Sequence, residues 1–169
     1  SGTGSMICYS TDRTDLQWPA RALAQTLSAP TELCMQRLRR LVRYCLSSLH
    51  YVLRFYYQRN PRYLDIFADS DWAGDKVLRK STSGGTVRLG KHCLEGWAST
   101  QEVEALSAGE AEFYAQGKGA AFALLFKHVL EELGHPTQAR IKSDSTAAKG
   151  ISHLRRRRIG LDARLRRVP

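Results

Sequence analysis

The sequence lacks paired cysteines, long apolar runs and a secretion signal. Its four cysteines are scattered without a C-x-x-C pair, which indicates neither a zinc site nor a disulfide framework and favours a reducing compartment. No apolar run approaches about 18 residues, so no membrane-spanning helix is predicted. The opening SGTGSMICYSTDR has neither a basic start nor a continuous apolar segment, and it lacks an initial Met, as a piece of a longer chain would. These absences predict an intracellular protein, cytoplasmic or nuclear, with no membrane partner.

Acidic residues are scarce outside the middle of the chain, and the formal net charge is +10. Residues 1–60 hold eight arginines and three acids, and residues 151–169 hold seven arginines and one aspartate. Residues 61–150 contain 11 basic and 12 acidic residues. Basic flanks suit a polyanion, and an acidic centre suits a metal ion that faces it. Solvated surface charge is the alternative explanation.

Apolar periodicity and turn residues predict an α/β order of elements. A helix is expected from Thr31 over TELCMQRLRRLVRYCLSSL, because its apolar residues form a stripe that leaves most arginines outside. The other expected elements are a strand at 51–57, a strand in YLDIFAD, a hairpin around Gly90 and Lys91, a helix that stops at Gly134 and is interrupted near Gly117 and Gly119, a strand in ARIKSD and a short helix in STAAKGIS.

Three acids stand beside small residues at the ends of elements. Asp69 ends a buried strand, Asp144 ends ARIKSD, and Glu112 lies on the long helix. Glu110 belongs to the capping box SAGE, and Glu112 lies about 200° around the helix from it. Asp144 or Ser145 could instead cap the following helix. Together Asp69, Glu112 and Asp144 can line one end of a sheet and bind Mg²⁺ through carboxylate oxygens.

Six segments carry a resemblance to a known family: FADSDWAGD, RKSTSGG, LGKHCLEGWASTQ, ALSAGEAEFYA, ELG and SDSTAAKGI. In order and spacing they resemble the ribonuclease H domain of Ty1/copia-type retrotransposon polyproteins. Upstream, STDRTDLQWPARALAQTLSAPT and RLRRLVRYCL resemble the end of the reverse transcriptase that precedes it. The resemblance implies a thumb- or connection-like remnant of reverse transcriptase over 1–60. It also implies a ribonuclease H-like domain over 61–169, with a mixed sheet flanked by helices.

The resemblance implies a metal-dependent endonuclease that degrades the RNA strand of RNA–DNA hybrids during reverse transcription. Carried over by position, Asp69, Glu112 and Asp144 are its catalytic and metal-binding acids, and two Mg²⁺ or Mn²⁺ ions are its cofactors. Its partners would be the hybrid and the remainder of the retrotransposon polyprotein. Basic side chains are expected to contact phosphates without sequence choice: Arg79, Lys80, Arg155, Arg156, Arg157 and Arg158.

The sequence departs from the family pattern at its end. The family's fourth acid follows one more strand, and this sequence ends at Pro169 before such a segment. We therefore expect a sheet that lacks the last strand and helix. Asp162, in RRRRIGLDARLRR, matches an earlier acid of the family and not the fourth ligand.

Three alternatives differ from an active ribonuclease H. The first is a decayed retroelement fragment that only binds nucleic acid, through Arg155–Arg158 and the 31–59 region. The second is a haloacid dehalogenase-like phosphatase with Asp69 as nucleophile and Asp71 as acid, but the residues that follow Asp71 lack the Thr or Val of that family. The third is an integrase-type nuclease, which the order of the motifs disfavours.

Overall fold

The computed structural model describes residues 2–75 and 78–159. The chain divides into two compact units, Ser1–Tyr56 and Tyr57–Pro169. The first unit contains three helices, α1 (Gly2–Tyr9), α2 (Thr14–Ala24) and α3 (Glu32–Ser47). Its core is formed by Leu16, Leu23, Leu41 and Cys45, with Met6 and Leu38 packed against them.

Helix α3 confirms the predicted helix, and Thr31 caps its N-terminus. Thr31 precedes it in an extended conformation, and its hydroxyl accepts a hydrogen bond from the backbone N–H of Cys34 at 3.4 Å. Leu41, from the predicted apolar stripe, is buried. The arginines predicted outside the stripe are exposed: Arg37, Arg40 and Arg43.

The strand predicted at 51–57 is wrong. These residues form neither helix nor strand, and their large apolar side chains are exposed, up to 94% at Tyr57. Aromatic and branched residues favour a strand only where a neighbouring strand accepts their backbone hydrogen bonds and packs their side chains. This segment has no such neighbour among the described residues.

The second unit contains a four-stranded sheet and two helices. Its elements are β1 (Tyr63–Asp71), β2 (Thr82–Leu89), β3 (His92–Thr100), α4 (Ala108–Glu132), β4 (Gln138–Lys142) and α5 (Thr146–Ile159). The strand order is β3-β2-β1-β4, with β1 antiparallel to β2 and parallel to β4. The predicted α/β fold with a mixed sheet is confirmed. Asp162 lies outside the described residues, and the expectation of a missing strand and helix stays a prediction.

Helix α4 packs on one face of the sheet. Leu64, Ile66 and Ala68 alternate along β1 and form the core with buried residues of β2, β3 and α4. The predicted interruption of this helix is wrong, because α4 runs unbroken from Ala108 to Glu132. Gly119 allows the close packing, since a β carbon there would lie 3.2 Å from Ile66 and 3.3 Å from Ala68.

The predicted hairpin is confirmed, with Gly90 at a φ of +59° in its turn. Strand β2 of this hairpin begins at Thr82 and includes TSGG. Gly85 is required within β2, where a β carbon would overlap the Trp97 ring and the carbonyl oxygen of Phe67.

No helix in the part of the chain that the structure describes is long and apolar enough to cross a membrane.

Candidate active site and metal centre

Asp69 lies near the carboxyl end of β1 and is exposed. Its Oδ1 accepts a hydrogen bond from the backbone N–H of Ser70 at 2.9 Å. Its partner across the sheet is Gly84 of β2, which presents no side chain beside the carboxylate. The inner strand β1 therefore places Asp69 near its carboxyl-terminal end, and only Oδ1 accepts the hydrogen bond from the Ser70 N–H.

Glu112 lies in the first two turns of α4 and is half-buried. Its Oε1 accepts hydrogen bonds from the backbone N–H of Ser70 at 3.1 Å and from the Ser70 hydroxyl at 3.3 Å. Its Oε2 is buried and has no hydrogen-bond partner among the described residues. A buried carboxylate oxygen without a donor is costly, and a cation is one group that removes this cost.

The pKa of Glu112 is raised. Burial raises it most, because burial disfavours the charged form, and the neighbouring charge of Asp69 raises it further. The Ser70 N–H opposes these effects by stabilising the carboxylate. Two carboxyl groups so close together favour either a proton or a metal ion between them.

Asp144 follows β4 and is exposed. The sequence left open whether it caps the next helix, and the structure assigns that role to Ser145. The Ser145 hydroxyl accepts a hydrogen bond from the backbone N–H of Ala148 at 3.1 Å, at the start of α5. The Asp144 carboxylate is therefore not needed for capping.

The structure brings Asp69, Glu112 and Asp144 together. One carboxylate oxygen from each lies within 4.8 Å of the other two. The topology explains this, because β1 and β4 are parallel neighbours and their carboxyl ends meet at the same edge. Oxygens bound to one Mg²⁺ at about 2.1 Å lie roughly 3–4 Å apart, so small side-chain rotations suffice for the three to share an ion. The donor set fits a hard divalent cation.

Asp71 and Trp72 lie outside this cluster. The Asp71 carboxylate packs against Gly74, where a β carbon would overlap it. Trp72 donates from Nε1 to the carbonyl oxygen of Ala105 at 3.1 Å, although its side chain is 43% exposed. Trp97 is buried and stacks on Phe122 with 4.6 Å between ring centroids.

The structure describes only two of the side chains that are predicted to contact nucleic acid. Arg79 is exposed, and its Nε lies 3.8 Å from a carboxylate oxygen of Glu104. Lys80 is half-buried. Residues 155–158 continue α5, but the side chains of Arg155, Arg156, Arg157 and Arg158 lie outside the described residues. Phosphate binding by these residues stays a prediction.

Sequence reasoning missed the role of Ser70. It holds Glu112 through both its backbone N–H and its hydroxyl, and so joins β1 to α4 beside Asp69. Its place between two aspartates in the segment FADSDW was the available signal, but half of its contribution is a backbone N–H that any residue except proline could supply.

A mixed four-stranded sheet, an α-helix across one face and three carboxylates at the carboxyl edge define an α/β protein consistent with a ribonuclease H-like fold. No protein-family model matches the chain, and no solved structure matches it.

Two curated polyproteins are similar to the chain over most of its length. The chain is 30% identical over 131 residues to the retrovirus-related Pol polyprotein from transposon RE1 of Arabidopsis thaliana, which covers 78% of the chain and 9% of that protein. It is 28% identical over 166 residues to the polyprotein from transposon RE2 of the same plant, which covers 94% of the chain and 11% of that protein. The chain thus spans about a tenth of the length of these polyproteins.

The chain covers a larger share of a shorter relative. The secreted RxLR effector protein 161 of Plasmopara viticola is 35% identical over 103 residues, which are 61% of this chain and 72% of that protein. The chain is thus homologous to retrovirus-related Pol polyproteins of transposons and to this effector protein.

Proposed function

We propose that residues 61–169 are the ribonuclease H-type domain of a Ty1/copia-type polyprotein and hydrolyse the RNA strand of RNA–DNA hybrids. The observation that supports this proposal most directly is the cluster of Asp69, Glu112 and Asp144, with one carboxylate oxygen of each within 4.8 Å of the others. The sequence similarity to transposon Pol polyproteins supports the same proposal. In this proposal, residues 1–60 are the end of the preceding reverse transcriptase.

The three acids would hold Mg²⁺ or Mn²⁺. Such ions, when bound, neutralise phosphate charge and supply a water nucleophile at neutral pH. The chain's own contribution is to prepare the ligands before substrate arrives. Ser70 fixes one oxygen of Glu112 and leaves Oε2 without a donor, while Asp69 and Asp144 stand at the exposed rim.

In this proposal a phosphate would reach the acids from their exposed side. Asp69 and Asp144 are both exposed, so a backbone phosphate can reach the acids without rearrangement of the sheet. Discrimination of RNA from DNA requires contacts with the 2′-OH groups that line the wide minor groove of an A-like hybrid. Basic residues, Arg79 and Lys80 among them, would add affinity through the phosphates.

The test is cleavage of an end-labelled RNA–DNA hybrid by the whole chain, with Mg²⁺ or Mn²⁺ and with EDTA. We expect metal-dependent cutting of the RNA strand. Asp69→Asn and Glu112→Gln should each lower the rate at least about a hundredfold, roughly the effect of removing one electrostatic stabiliser of a transition state.

Glu110→Gln is the matched control, because Glu110 lies on the same helix. Its carboxylate accepts from the backbone N–H of Leu106 at 2.9 Å and from the Tyr114 hydroxyl at 3.1 Å. A glutamine oxygen can accept one of these bonds, so this variant should cut the hybrid nearly as fast as the unsubstituted chain. Hybrid binding without any metal-dependent cut would overturn the proposal and favour a nucleic-acid-binding protein.

A further inference from the structure

Gln101 is a buried polar residue directly after β3, and its side chain is not part of the carboxylate cluster. It is 7% exposed, and its backbone N–H donates to the carbonyl oxygen of Ser81 at 2.8 Å. Its side-chain Nε2 makes two further bonds. One goes to the carbonyl oxygen of Ala111 at 2.8 Å and the other to the Ser83 hydroxyl at 2.9 Å.

One of these bonds reaches the helix that carries Glu112, and the other reaches β2, the strand beside β1. Ala111 immediately precedes Glu112 in α4, and it is fully buried. Ser83 is the β2 partner of Ser70 in β1, and Ser70 holds the Glu112 carboxylate. The contacts therefore form a closed set. Gln101 contacts α4 at Ala111, Glu112 of α4 contacts Ser70 of β1, and Ser70 pairs with Ser83 of β2, which contacts Gln101.

The amide orientation follows from chemistry. The carbonyl oxygen of Ala111 can only accept, so the group that faces it must be the NH₂ end of Gln101. A buried donor that loses its partner costs more than an exposed one, which makes this arrangement resistant to displacement. The amide therefore opposes movement of the first turns of α4 relative to β2.

We propose that Gln101 is a positioning residue for Glu112: by fixing α4 against β2, it sets the distance between the Glu112 and Asp69 carboxylates without touching either. The inference rests on the proposed function, since it assigns Gln101 to the support of the same metal-binding acids. Groups that orient metal ligands from behind commonly change metal affinity by about 10–100-fold when they are removed.

The test compares two methionine substitutions in the whole chain. Gln101→Met keeps the length of the side chain and removes both donors. Gln116→Met is the matched control, because Gln116 is also buried, at 6% exposure, but accepts from the Ser152 hydroxyl at 3.0 Å and joins α4 to α5. Thermal unfolding without metal reports global stability, and electron paramagnetic resonance of added Mn²⁺ reports binding.

Both variants should lower the melting temperature, but only Gln101→Met should weaken Mn²⁺ binding, by about tenfold or more. Unchanged Mn²⁺ affinity in Gln101→Met would overturn the positioning role, and so would an equal loss in Gln116→Met. Absence of Mn²⁺ binding by the unsubstituted chain would overturn the proposed function and this role with it. Should Gln101→Met fail to fold, Ser83→Ala removes one hydroxyl from the same set of contacts, and the same Mn²⁺ outcomes decide.

Discussion

At the scale of single residues, Glu112 shows how a functional group can oppose folding. Its carboxylate is half-buried with one unbonded oxygen, and burial raises its pKa. The folded state therefore binds a proton there more tightly than the unfolded state does. The stability that this group contributes is fully present below the unfolded pKa and is lost as the pH rises through the folded pKa.

We therefore expect Glu112→Gln, without metal, to be at least as stable as the unsubstituted chain at neutral pH. The glutamine oxygen can still accept from Ser70, while the unpaired charge is gone. The advantage should disappear as the pH falls through the raised pKa of Glu112. Urea unfolding across the acidic and neutral range measures it, and a variant much less stable at neutral pH would make Glu112 a structural residue.

Asp65, on strand β1, shows the opposite case. It accepts from Arg140 Nε at 2.7 Å, from Arg140 Nη2 at 2.9 Å and from Lys142 Nζ at 3.2 Å. The Arg140 guanidinium also lies 3.6 Å from the Tyr63 ring centroid. Burial raises the pKa of Asp65, but the two cations together outweigh burial and hold the pKa below its usual range.

Asp65→Asn should lower the free energy of unfolding by about 1–2 kcal/mol at neutral pH, because charge-assisted bonds are lost at a partly exposed site. The contribution of Asp65 is present above its unfolded pKa and is lost as the pH falls through its folded pKa, so the difference should shrink in strong acid. Exposed Asp12→Asn is the control and should change stability little. Equal losses in both variants would contradict a specific role for the Asp65 contacts.

At the scale of elements, α4 explains why two glycines in one helix do not act alike. Nothing lies within 4 Å of a β carbon built on Gly117, whereas one built on Gly119 meets Ile66 and Ala68 of β1. Gly117 is exposed and Gly119 is buried. The first glycine only weakens the helix, and the second permits the helix to approach the sheet.

Gly117→Ala should raise the free energy of unfolding by about 0.5–1 kcal/mol, since alanine favours the helix without a new contact. Gly119→Leu should lower it by about 1–3 kcal/mol through overpacking. Chemical denaturation of both variants tests the pair. A stabilising Gly119→Leu would mean that α4 does not pack tightly on β1.

The sequence predicts the N-cap of α4 but not the packing of this helix on the sheet. Ser107 accepts from the backbone N–H of Glu110 at 3.2 Å, as the SAGE pattern predicted, because a cap depends only on neighbours in sequence. The same reasoning placed an interruption at the two glycines. It failed because the burial of one helix face against the sheet outweighs the low helix propensity of glycine.

At the scale of the whole molecule, the charge distribution predicts polyanion binding. The net charge is +10, and seven arginines lie in residues 151–169. Each arginine that contacts a phosphate contributes nearly one unit to the slope of log affinity against log salt. The slope therefore reports the number of phosphate contacts, which a single affinity measurement does not.

Replacement of Arg155–Arg158 by alanine should flatten this slope by up to about four units for nucleic acid of any sequence. Replacement of the exposed Arg37, Arg40 and Arg43 of α3 serves as a comparison for the other basic region. Binding titrations over a range of salt concentrations supply both slopes. An unchanged slope in the Arg155–Arg158 variant would show that these arginines remain solvated.

The sequence by itself determined the order of most elements and the identity of the candidate acids. Helix α3, strand β1, the hairpin at Gly90 and helix α4 follow from caps, turns and apolar periodicity, which act over a few residues. Asp69 and Asp144 could be singled out because each stands at the end of a predicted strand.

The tertiary structure decided everything that depends on a partner distant in sequence. Residues 51–57 have the composition of a strand, but no strand among the described residues lies beside them, so they form none. Ser145 rather than Asp144 caps α5, and the parallel pairing of β1 with β4 brings Asp144 to Asp69. The roles of Ser70 and Gln101 follow from the same cause, because strand register and helix packing alone determine which backbone and amide groups meet Glu112 and the helix that carries it.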